Sequence, residues 1–68
     1  MDKAQAEQAA LDLWRELPFE NRSDVNHAVE FGALIARRLP FDTLGDHDKI
    51  VIAWLVRDQQ MSVEGHGR

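Results

Sequence analysis

The tripeptide Leu-Pro-Phe occurs twice, at residues 17–19 and 39–41, and divides the 68-residue chain into three stretches. Each copy ends a helical pattern. The leucine closes an apolar stripe, and the proline, with no N–H and a ring that crowds the preceding turn, forbids continuation. The match extends beyond the tripeptide. A shift of 22 residues lays Arg15 on Arg37, Leu17 on Leu39, Pro18 on Pro40, Phe19 on Phe41, Asp24 on Asp46 and Val29 on Val51, and sets Glu20 on Asp42. The shared text encodes a helix–corner–helix joint. In it the phenylalanine is expected to drop into the core, and Asn21 and Thr43 to cap the following helix. Asp24 and Asp46 are expected to favour its exposed N–H groups three residues on. Joints this short set successive helices in contact. Duplication and convergent joint chemistry are both open, and concentration of the match in the joint favours convergence.

The pattern predicts an all-α, three-helix domain over residues 1–60, with helices at about 2–16, 22–38 and 44–60, and a disordered tail over 61–68. No period-two strand pattern persists. In the first helix Ala6, Ala10, Leu13, Trp14 and Leu17 recur at helical spacing. In the second, Ala28, Gly32 and Ala36 line one groove that a neighbouring helix can enter closely. Gly32 costs about 1 kcal/mol against alanine in mid-helix, which suits a packing role. The third helix carries seven consecutive apolar residues, Ile50 to Val56. Seven in a row point in every direction, and a helix apolar all round is buried all round. Two partner helices in so short a chain are expected to leave part of it uncovered. A homodimer with the third helix central or at the interface is the predicted solution.

Composition narrows the function. There is no cysteine, which excludes disulfides and thiolate-held zinc and fits a cytoplasmic, reducing location. The net charge is −4 and no basic cluster appears, which argues against nucleic acid and anionic membranes. Met1–Ala10 has no apolar core segment, so no signal peptide is expected, and the run 50–56 is too short to span a bilayer.

Several constellations bear on chemistry. Asp24, His27 and Glu30, spaced by three, share a helix face and are ligand types of helical metal sites. No matching set on a facing helix is visible, so no metal is favoured and no cofactor is implied. His47-Asp48, with His27 before and Asp58 after, outlines an HD-type phosphohydrolase, but the chain is too short to build that cavity. There is no nucleophile beside a base and no glycine-rich phosphate loop, so the chain is not expected to be an enzyme. A helix-turn-helix reading fails on charge: the third helix begins Asp46-His47-Asp48 and continues apolar, and the less favoured nucleic-acid reading falls to Arg22, Arg37 and Arg38. Pro40-Phe41-Asp42-Thr43-Leu44, followed by Lys49, resembles a ten-residue stretch of ryanodine-receptor repeat domains. The Trp- and Gly-rich segment that precedes it in that family is absent here, and no function is carried over.

The function expected is a small protein-binding module or regulator that occupies a surface of a larger protein. Its size and acidity are those of inhibitors or adaptors carried by phages and other mobile elements. Phe31, Leu34, Ile52 and Trp54 are the apolar positions least easily buried within three helices, and are the expected partner or dimer contacts.

Overall fold

The computed structural model describes residues 1–66, with side chains as far as Met61. Among them are three α-helices and no strand: α1 (Lys3–Arg15), α2 (Val25–Ala36) and α3 (His47–His66), with a short 3-10 turn at Phe19–Asn21. The first helix keeps its expected length. The second is shorter than its apolar pattern. The third passes Gln60, where the pattern ended, so 61–66 continue the helix while 67–68 lie outside the described residues. No helix among the described residues is long and apolar enough to cross a membrane.

Capping chemistry sets where the helices begin. The carboxylate of Asp2 accepts from the Gln5 N–H at 2.8 Å, and the Gln5 amide oxygen accepts from the Asp2 N–H at 3.1 Å, a reciprocal box that starts α1. The expected caps of the next two helices were three residues too early. Asp24, not Asn21, caps α2 by accepting from Asn26 N–H at 2.9 Å. Asp46, not Thr43, starts α3 by accepting from Asp48 and Lys49 N–H at 3.0 and 3.2 Å. Asn21 instead closes the 3-10 turn with Pro18, and the Thr43 hydroxyl accepts from Gly45 N–H within the loop. In both joints the capping residue is the aspartate. Asp24→Ala and Asp46→Ala should each cost about 1 kcal/mol, against a few tenths for Asn21→Ala, read as urea midpoints. Equal losses at Asp24 and Asn21 would contradict this placement of the cap.

The two joints share a motif and differ in outcome. Phe41 is buried, stacked on His47 at 4.3 Å and on Trp54 at 5.3 Å between ring centres. Phe19, expected in the core, leaves 53% of its surface exposed. The shift of 22 explains the contrast, because the positions matching Trp54 and His47 are Gly32 and Val25. Neither of these two matching positions is aromatic.

The helices form an up–down–up bundle. α2 and α3 run antiparallel and touch at three heights: Gln59 donates to the Ser23 carbonyl at 3.2 Å, Gly32 faces Ile52, and His47 donates from Nε2 to the Leu39 carbonyl at 2.7 Å. A carbonyl can only accept, so Nε2 carries the proton. α1 lies across this pair with Ala6, Ala10 and Trp14 fully buried along one stripe. Exposed ion pairs fasten its outer edge, Arg15–Asp58 at 2.9 Å and Arg57–Glu7 at 3.1 Å. The hydrogen bond to Asp58, then its charge, raises the Arg15 pKa above its ordinary value.

The seven-residue apolar run is largely accommodated within the chain. Val51 and Leu55 are fully buried and Trp54 is 7% exposed, while Ile50, Ile52 and Val56 are half-buried and Ala53 alone faces out. The small-residue groove does what its spacing implied: Ala28, Gly32 and Ala36 are buried, and Ile52 sits over Gly32.

Candidate functional site

The first joint and α2 enclose a groove between them. α1 ends at Arg15, three residues before Pro18, and the chain turns through Phe19–Asn21. Arg22 Nε donates to the Leu17 carbonyl at 2.9 Å, satisfying an acceptor left over at the helix end. Ser23 Oγ donates to the Glu20 carbonyl at 3.2 Å and tightens the same turn. The corner is therefore fixed by its own hydrogen bonds, and Phe19 does not fill the space beneath it.

That space is a hollow of about 330 Å³ lined by Leu17, Asn21, His27, Glu30, Phe31 and Leu34. Its floor is apolar. Phe31 is half-buried, with its ring 6.0 Å from that of Trp14 at a 42° tilt. Leu34 stands at the mouth with 63% of its surface exposed. His27 and Glu30, three residues apart on α2, and Asn21 from the corner make the rim. The volume is at the low end of the roughly 300–1,000 Å³ of ligand sites, and the hollow opens to solvent. An apolar side chain presented by another molecule fits it, with a donor or cation beside it to meet Glu30.

The four expected contact residues do not form one surface. Phe31 and Leu34 share this groove. Ile52 is half-buried against Gly32 of α2. Trp54, expected as a contact, is core: only its edge reaches a second hollow, between Leu11, Arg15, Arg57, Asp58 and Met61. The seven-residue run misled here, since Phe41 and α1 between them cover the indole.

Asp24, His27 and Glu30 are not assembled as ligands. The Asp24 carboxylate caps α2, while His27 and Glu30 line the groove. Among the described residues no three His, Asp or Glu side chains come together in a way that could hold a metal ion. Arg22 is committed to the Leu17 carbonyl, and Arg37 and Arg38 are exposed at the end of α2. Periodicity missed Leu17 and Asn21 as groove residues, because both were assigned to closing and capping helices. The signal available was the repeat itself: at the first corner the positions matching Trp54 and His47 are Gly32 and Val25. No family model, curated protein or solved structure matches this chain.

Proposed function

We propose that this protein is a small cytoplasmic binding module with no chemistry of its own. It acts as an inhibitor or adaptor by seating an apolar side chain of a larger protein in the groove between the first corner and α2. The observation that carries this reading is Leu34, 63% exposed above the half-buried Phe31 and Leu17. A single exposed leucine is ordinary on a soluble protein. One that continues an aromatic floor in a concave site has the make-up of an interface anchor. Glu30 at the rim and a net charge of −4 favour a partner segment with a lysine or arginine next to its apolar anchor. In this reading Phe31, Leu34 and Leu17 are the contact residues of the groove, and Ile52 and Trp54 lie outside it.

A photo-reactive amino acid placed at 34, and separately at the exposed position 4 on α1, tests this in the cells that make the protein. A discrete adduct with another protein is expected at 34 and not at 4. With that partner in hand, Leu34→Asp should weaken binding about 10- to 30-fold. Identical adducts at both positions, or unchanged affinity in Leu34→Asp, would rule the groove out.

A further inference from the structure

α1 covers one side of the α2–α3 pair and leaves the other open. Trp14 stacks on Phe31, Arg15 pairs with Asp58, and Leu11 shares a hollow with Trp54 and Met61, which identifies the flank of each helix that α1 occupies. At about 100° per residue, Val25 and Val29 lie about 140° round α2 from Phe31. Ile52 and Val56 lie about 160° round α3 from the flank of Trp54 and Asp58. These four share the face turned away from α1. Val25 and Val29 are 40% and 42% exposed, and Ile52 and Val56 are half-buried. Around them Asn26, Ala33, Ala53 and Gln60 are exposed and uncharged, and Lys49 in the first turn of α3 closes one end. Charged residues make up 29% of the chain, so their absence from the middle of this face is a depletion of the kind found at interface cores.

We propose that a second copy of this chain packs on that face about a twofold axis, setting two α2–α3 pairs back to back with α1 outermost in each copy. The charge distribution selects the occupant. Each chain carries −4, and a twofold axis lays a patch on itself, so two acidic chains associate most readily through a patch that holds no acid. A strongly charged partner would find no counter-charge here. Size sets the strength. α2 has 12 residues, about 18 Å of helix, and the molecule is 19 Å across. Two copies therefore bring together on the order of 700 Å² in projection and rather more as accessible surface, at the low end for specific interfaces. Association is accordingly weak and concentration-dependent. It does not depend on the groove beside Leu34, with which this face shares no residue.

Sedimentation equilibrium on the full chain, from about 5 µM to about 500 µM, reads the outcome across the micromolar range. The mass should rise from one chain, 7.8 kDa, towards two. Val29→Asp should hold it at one chain throughout with unchanged helicity. Ala53→Glu, at an exposed position that packs on nothing buried, should do the same and stands in if Val29→Asp fails to fold. Leu34→Asp should leave self-association as it is, so a failure of the groove and a failure of this face are told apart. A mass that stays at one chain, a dimer that survives either folded face variant, or one that Leu34→Asp abolishes overturns the proposal.

Discussion

Trp14→Ala should leave most of the protein unfolded at 25 °C. The indole is fully buried and is the largest side chain that is so, and removing an aromatic of this kind costs about 3–5 kcal/mol. A domain of this length holds roughly 3–10 kcal/mol in total, and one with so small a core lies at the low end, about 3–5 kcal/mol, so the loss takes most of it. Trp14 is also what α1 buries most deeply, since Ala6 and Ala10 offer little area and both ion pairs at its edge are exposed. Urea titration followed by far-UV circular dichroism gives the comparison with Leu13→Ala, one residue away and 37% exposed, which should cost about 1 kcal/mol or less. Similar losses at the two positions would mean that α1 does not dock through Trp14.

Gly32→Ala should destabilise the protein, against the direction that helix propensity sets. In an exposed helix interior alanine gains about 1 kcal/mol over glycine. Here a Cβ on residue 32 would stand 2.9 Å from both the Cα and the Cγ1 of Ile52. The Cγ1 can rotate aside, but the Cα belongs to the backbone of α3, so the helices must move apart. Overpacking of this kind costs about 1–3 kcal/mol, enough to reverse the sign, and Gly32→Leu should prevent folding. The neighbouring Ala33 is exposed, and Ala33→Gly should lose about 1 kcal/mol by propensity alone. A Gly32→Ala protein with a higher urea midpoint than the unsubstituted chain would show that α2 and α3 do not approach so closely.

Those two residues mark what could be read from the chain unaided. Trp14 and Gly32 both announced their roles, one by sitting on an apolar stripe and the other by a four-residue spacing of small side chains. The three helices and the two corners followed from periodicity and from proline, which are properties of a few adjacent residues. What failed to show was anything decided by a partner distant in sequence. Asn21 and Asp24 are both good caps, and only the geometry of the corner, with Arg22 turned back onto Leu17, decides between them. Phe19 and Phe41 sit in the same local text, and their burial differs because of what lies 13 and 6 residues further on. Trp54 looked uncovered because a run of seven apolar residues says nothing about how well two neighbours and a corner can wrap it. The groove at Leu34 is decided in the same way: its lining comes from Leu17, the corner and α2, and a hollow between elements has no sequence signature of its own.

The three heights at which α2 and α3 touch have a mechanical result. Ser23 with Gln59, Gly32 against Ile52, and Leu39 with His47 pin the pair near both ends and in the middle. Sliding breaks the end bonds, and rotation drives Ile52 into the backbone at Gly32. The pair is braced against both displacements. α1 is held by one deep side chain and two solvent-screened ion pairs, and it joins the pair through the corner at 16–24. α1 is therefore the least firmly held of the three helices, a cover laid over a braced frame.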